Sequence, residues 1–310
     1  MKNILIVVAI LLLIAGGTYY YISSKDDVAY EKPTPEITTT PTPKAPEEEV
    51  TPATSTPITE VIRGPESVIG KAVSGTEIKA YHFGKGDKEV LFIGGIHGGY
   101  SWNTALLAYE IIDWLKSNPS AVPQDVTVTI IPVLNPDGLK LVTGKDGRFT
   151  GSDVSTSETT RISGRFNGNE VDLNRNFGCE WKATGTWQDR NVSGGSKAFS
   201  EPESLAIKTY VSQTEPVAVV TWYSAIGGVY ASNCKKGVSS GTEALTNLFA
   251  KAAGYTAYEE FDNYEITGDM VNWFASLNIP AISVLLTDHK NTELAKNKEG
   301  VKAVLDYVTK

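Results

Sequence analysis

The side chains able to do chemistry in this 310-residue chain fall in a few short segments. Gly94-Gly95-Ile96-His97-Gly98-Gly99 puts a histidine in a glycine-rich turn directly after the apolar run Val90-Leu91-Phe92-Ile93. Arg165 follows, and then Val171-Asp172-Leu173-Asn174-Arg175-Asn176-Phe177, which crowds an acid, an amide and a cation into one stretch. A guanidinium is a natural bidentate partner for a carboxylate. Arg165 and Arg175 therefore suit either the capture of an anionic terminus or structural ion pairs with nearby acids. The chain has three histidines; the others are His82, in an early strand-like stretch, and His289, past a late apolar run. A metal site built from His97, His289 and Asp288 would need all three to converge with ligand geometry. Surface histidines are the simpler reading for His82 and His289. The two cysteines, Cys179 and Cys234, are too few for a disulfide-dependent scaffold but can pair in an oxidising compartment.

The elements that must position these groups alternate between apolar runs and amphipathic stretches. Val90 to Ile93 reads as a buried strand. Leu106, Leu107, Tyr109, Ile111, Ile112 and Leu115 then recur at helical spacing. Val126 to Val133 is rich in β-formers and ends at Asn135-Pro136-Asp137-Gly138, a turn signal. Ser200-Glu201-Pro202-Glu203 has capping-box spacing ahead of another helical run. Val217 to Trp222 and Ile282 to Leu286 read as further buried strands, and Asn291 to Thr309 as a closing helix. This alternation predicts an α/β fold with a mixed, largely parallel sheet flanked by helices. Sites in such sheets form where loops leave the strand ends.

The N-terminus carries a different signal. Ile4 to Ile22 holds no charge, a length that matches the roughly 20 residues needed to cross a bilayer. Lys2 on one side and Asp26 and Asp27 on the other favour an N-inside orientation. Residues 1–23 are thus expected to form one transmembrane anchor; a cleaved signal segment ending near Ala15-Gly16-Gly17 is the alternative. Either places the remainder outside the cytoplasm, and the absence of a nearby cysteine excludes a lipoprotein anchor. Residues 24–60 contain seven of the fifteen prolines, and three lysines against two aspartates and six glutamates. That composition reads as an extended, disordered tether. It holds most of the chain's net charge of -8, so the domain from 61 to 310 is only mildly acidic. It lacks the basic face that nucleic acid requires.

Taken in order, seven segments resemble the zinc carboxypeptidases. These are the His97 turn, Asn135 to Gly138, Arg165 with Val171 to Phe177, and Phe199-Ser200-Glu201-Pro202-Glu203. Thr221-Trp222-Tyr223-Ser224-Ala225, Tyr264-Glu265-Ile266-Thr267-Gly268-Asp269 and Ile279-Pro280-Ala281-Ile282-Ser283-Val284 complete the set. The resemblance implies a carboxypeptidase-like fold and, in active relatives, a zinc held by His, Glu and His with an open position for water. A separate Glu near the end of the chain serves as general base. Of these positions only the first is kept, as His97. Tyr100 stands where the resemblance expects the Glu ligand, Tyr223 where it expects the second His, and Leu285 where it expects the base. Losing two of three ligands should cost on the order of 6–8 kcal/mol of metal binding, and leucine cannot move a proton.

The resemblance further assigns Asn174 and Arg175 to a peptide's terminal carboxylate and Arg165 to the oxyanion position. Tyr264 would close over the bound residue, Val271 would set an apolar side-chain pocket, and Asp172 would sit behind His97 and fix its tautomer. With His97 protonated, Arg165 and Arg175 would make the cleft cationic. The sequence thus predicts a membrane-tethered, catalytically inactive carboxypeptidase-like domain that needs no cofactor. Its expected partners are peptide C-termini, cell-wall peptides among them. An active carboxypeptidase with unorthodox ligands and a structural docking domain are the competing expectations.

Overall fold

The computed structural model of the protein describes residues 64–310; the expected membrane segment and the expected tether lie outside them. Among the described residues no helix is long and apolar enough to cross a membrane. Ten strands occur among the described residues: β1 (Glu66–Lys71), β2 (Glu77–Gly84), β3 (Lys88–Ile93), β4 (Val126–Ile131), β5 (Thr184–Trp187), β6 (Arg190–Ser193), β7 (Ala218–Ser224), β8 (Val229–Ala231), β9 (Ala257–Tyr258) and β10 (Ala281–Leu286). The helices are α1 (Trp102–Ser117), α2 (Pro136–Thr143), α3 (Glu158–Ser163), α4 (Pro202–Thr214), α5 (Ser240–Ala253), α6 (Met270–Ser276) and α7 (Leu294–Val308).

Eight strands form one sheet in the order β1-β2-β4-β3-β7-β10-β8-β9, and β5 and β6 form a separate hairpin. The centre, β4-β3-β7-β10, is parallel. The pairs β1–β2, β2–β4 and β8–β10 are antiparallel. The sheet is therefore mixed with a parallel heart, as the alternation of runs predicts. Period-two geometry sends neighbouring side chains of β3 to opposite faces. Val90 and Phe92 join Trp222 and the apolar stripes of α1, α5 and α7. Leu91 and Ile93 join Val219 and the stripes of α4 and α6. Burial on both faces is why these strands read as unbroken apolar runs rather than alternating ones.

Three local expectations are corrected. Asn135-Pro136-Asp137-Gly138 starts α2 instead of making a turn: Asn135 Oδ1 accepts from Gly138 N at 2.8 Å, with Pro136 in the first turn of the helix. The cap of α4 is Glu201, not Ser200, and it makes no side-chain capping bond; Glu203 instead accepts from the Val73 amide and Asn167. The last helix begins at Leu294, because Asp288 and Glu293 fold the preceding residues back through bonds from the Asn291 and Thr287 amides.

The turn after β3 shows what the glycines do. Gly98 has φ +42, and a Cβ there would lie 2.7 Å from Gly164 O and 2.9 Å from Gly138 Cα. Backbone meets backbone at this point, which only glycine permits. Three segments remote in sequence are thereby locked beneath His97.

Candidate functional site

The C-terminal ends of the parallel strands open into a cavity of about 930 Å³, the position expected of a site in such a sheet. His97 enters from the turn after β3, and Tyr223 and Leu285 face each other in register across β7 and β10. Tyr100, Arg165, Asn174, Tyr264 and Val271 also line the cavity; Asp172 and Arg175 do not.

His97 is 5% exposed, and neither ring nitrogen has a hydrogen-bond partner. Asp172 Oδ1 lies 3.7 Å from its Nε2, beyond hydrogen-bond reach. Burial and the Arg165 charge hold the imidazole well below its ordinary pKa, outweighing the opposite pull of Asp172. The expected imidazolium is therefore corrected to a neutral ring. Asp172 is instead the partner of Arg165, accepting at Oδ2 from Nη2 at 2.8 Å and from Nε at 2.9 Å. Burial alone would raise this carboxyl, but the arginines pull it down to about 2. Its other oxygen accepts from the Asn174 amide. The central carbon of the Arg165 guanidinium lies 4.3 Å from the Trp187 ring centroid, a cation–π contact.

The two tyrosines are held by different means. Tyr223 is buried, its ring centroid 5.6 Å from that of His97, and its hydroxyl donates to Asn174 Oδ1 at 3.2 Å. Burial raises its phenol well above the ordinary value. Tyr100 packs edge-on against Trp187 and tilts over His289, with centroids at 4.9 and 4.5 Å. Burial raises its pKa too, against the pull of Arg165. The donor set is thus one neutral imidazole and two protonated phenols, one of them committed to an amide oxygen. This does not fit a zinc site, which requires deprotonated or imidazole ligands in converging geometry. Among the described residues, no three His, Cys, Asp or Glu side chains converge to replace it.

The alternative set of His97, His289 and Asp288 does not assemble either. Asp288 spends its carboxylate on the Lys290 and Asn291 amides, and His289 Nδ1 bonds Ser224 Oγ at 3.0 Å. His82 is not a surface residue: it is buried in the sheet between Ser67 Oγ at 2.8 Å and Thr129 Oγ1 at 3.0 Å.

Arg175 departs most from expectation. It is 1% exposed, donates to the Thr186 carbonyl through Nε and Nη2 and to its neighbour's carbonyl through Nη1. The β5 strand lies directly on it; a Cβ at Gly185 would come within 2.7 Å of its Cδ. Asn174 is likewise engaged, donating to Asp269 Oδ2 at 2.8 Å while accepting from Tyr223 and the Met270 amide. Trp187 and Asp269 are site residues that sequence reasoning missed. Nothing in the spacing of Thr184-Gly185-Thr186-Trp187 marks that segment as a wall of the cleft. Asp269 lay inside a segment already singled out. Cys179 and Cys234, which the sequence left able to pair, are bonded at a Cα separation of 6.0 Å.

Comparison with solved structures places this architecture. Bovine thrombin-activatable fibrinolysis inhibitor, solved in complex with tick carboxypeptidase inhibitor, superposes with a TM-score of 0.63 at 16% identity, over 79% of this chain and 90% of that one. Carboxypeptidase A from Helicoverpa armigera gives 0.59 at 19% identity, over 79% and 69%. The murein-tripeptide amidase MpaA from Escherichia coli O157 gives 0.55 at 18%, over 77% and 92%. At these identities the likeness concerns the fold. The sequence model of the zinc carboxypeptidases matches residues 54–303, and the chain belongs to that family.

Proposed function

We propose that this chain is a catalytically inactive zinc-carboxypeptidase-family protein whose cleft holds peptides with free C-termini without cutting them. The observation that carries this reading is the occupancy of the ligand and base positions. Tyr100, Tyr223 and Leu285 stand around His97 in a cleft that is still open. The phenols are protonated and Leu285 has no proton to exchange, so neither a metal-bound water nor a general base is available from these side chains. Binding survives such losses more readily than chemistry does. Arg165 reaches the cavity as a cation in place, donates to Asp172 through two of its nitrogens, and leaves Nη1 for a carboxylate. Engaging Arg175 as well requires its guanidinium to leave the Thr186 carbonyl.

Ile4 to Ile22 supports an anchored, extracytoplasmic placement, in which cell-wall peptide stems are one source of ligand. Full-length protein should then stay with membranes through a high-salt wash; a soluble product beginning near Gly17 would show cleavage instead. Calorimetry with a peptide and its C-terminally amidated form tests the binding itself. The expected affinity is micromolar to millimolar, about 4–8 kcal/mol, with most of it lost on amidation. The internal engagement of Asn174 and Arg175 favours a second reading, a docking domain with a vestigial cleft. Equal affinity for both peptide forms would select it.

A further inference from the structure

Arg175 is a buried cation whose hydrogen-bond partners are all carbonyls. Nε and Nη2 donate to Thr186 O at 3.1 and 2.6 Å, and Nη1 donates to Asn174 O at 2.7 Å. Asp172 and Asp269 lie within reach of its field, but Asp172 faces Arg165 and Asp269 the Asn174 amide group. A buried charge that meets neutral acceptors is costly to keep. Nε and Nη2 form one edge of the planar fork with which a guanidinium grips a carboxylate. Here that edge closes on a single backbone oxygen.

The hairpin that supplies this oxygen stands apart from the body of the domain. β5 and β6 pair with each other and with no strand of the main sheet. The base is fastened: Ser193 O accepts from the Asp172 amide, and Gly194 O accepts from Asn176 Nδ2 at 2.7 Å and Trp181 Nε1 at 2.8 Å. Further out, its buried apolar side chains are Trp187 and Val192, and neither joins either apolar core. Trp187 leans on Arg165 and Tyr100 in the cleft, and Gln188, Asp189 and Arg190 at the tip are exposed. A hairpin fixed at one end and resting on polar cleft groups at the other opens at little cost in buried apolar surface.

We propose that the β5–β6 hairpin is an internal competitor of the ligand: the Thr186 carbonyl holds Arg175 in the place of a peptide's terminal carboxylate, and the peptide gains this second arginine by displacing the hairpin. This rests on the peptide-binding reading above and adds its regulation. With the hairpin closed, the carboxylate has Arg165 alone. With it open, Arg175 exchanges a neutral acceptor for a charged one, which makes the stronger bond. The apparent affinity is therefore lowered by the fraction of molecules whose hairpin is closed.

Gly185→Ala opens the hairpin from a position that does not line the cleft. A Cβ there meets Arg175 Cδ at 2.7 Å, Cγ at 3.1 Å and Nε at 3.2 Å, so one methyl group wedges the strand and the guanidinium apart. Val192→Ala, also outside the cleft lining, loosens the hairpin without a wedge and serves should Gly185→Ala fail to fold. Calorimetry on the full chain, with acetyl-alanyl-alanyl-leucine and its C-terminal amide, reads the result. The opened variant should bind the free acid about tenfold tighter, as one contact to a charged group gives, and bind the amide no differently. In an Arg175→Met background that gain should vanish. Equal affinity of parent and variant for the free acid, or a gain that persists without Arg175, overturns the competitor while leaving peptide capture standing. Binding by the variant and not by the parent ends capture by the unmodified chain and upholds the competitor. No binding by any form overturns both.

Discussion

Replacing Asp172 with Asn should be among the most damaging single changes in the domain. The substitution keeps the shape of the side chain but removes the charge that faces Arg165, which is only 2% exposed. Breaking one side of a buried ion pair costs about 3–5 kcal/mol, because the remaining charge is left without solvent or counter-ion. For a domain of this size each kcal/mol moves Tm by about 2–4 °C, so a drop of roughly 6–20 °C is expected. The pH dependence gives a second reading of the same pair. Asp172 sits near 2 in the fold, against about 3.9 for an unperturbed aspartate. Its folded pKa is depressed, so its stabilisation is fully present above the unfolded value and is lost as pH falls from about 5 toward 2. The loss should amount to about 2–3 kcal/mol. Denaturant unfolding of wild type and Asp172→Asn at pH 7 and at pH 3 measures both effects. The variant should start lower and lack that part of the acid limb. The Arg165→Met/Asp172→Leu double variant should recover much of the loss, since an apolar pair leaves no buried charge. A loss below about 1 kcal/mol in Asp172→Asn, or an unchanged acid limb, would refute the assignment of this pair as the electrostatic core of the site.

Three other outcomes follow from the same structure. Cys179→Ser/Cys234→Ser should lower unfolding free energy by ~4 kcal/mol in the chain-entropy model for a 55-residue separation, and an unchanged denaturation midpoint would show that the bridge constrains little. His97 should remain neutral across the physiological range, since burial and Arg165 lower its pKa; its contribution to stability therefore falls only as pH drops below the unfolded value near ~6.5, and an imidazole NMR titration midpoint at or above that value would contradict the burial argument. Tyr100→Glu/Tyr223→His/Leu285→Glu should bind zinc where the parent does not, and a variant that folds without taking up metal would place the defect beyond these three positions.

The parts of the fold that could be read from sequence are those whose physics is local. β3, β7 and β10 are buried on both faces, so their apolar runs announce them. β2 buries Ile78, Ala80 and His82 in alternation, but a histidine in a strand-like stretch reads as a surface residue, because the partners that let it be buried, Ser67 and Thr129, come from other strands. The β5–β6 hairpin gave no such signal, because its four-residue strands lie against the cleft and not in the main sheet. At the site, residue order was enough to bring His97, Tyr100, Tyr223 and Leu285 together. It was not enough to foresee the fate of Arg175, which depends on the hairpin carbonyl at Thr186 and on the missing side chain at Gly185. The partners of the two arginines were hidden for the same reason: Arg165 meets Asp172, and Arg175 meets only carbonyls. A count of arginines predicts a cationic cleft, whereas the field depends on what each cation meets, and that is settled only in three dimensions.

The central claim is that this member of the zinc carboxypeptidase family lacks the means to hold zinc. The direct measurement is the metal content of the purified, unmodified chain after incubation with zinc and gel filtration, determined by elemental mass spectrometry. One neutral imidazole beside two protonated phenols predicts far less than one zinc per chain. One tightly held zinc per chain would contradict the account, and with it the inactive reading of the cleft.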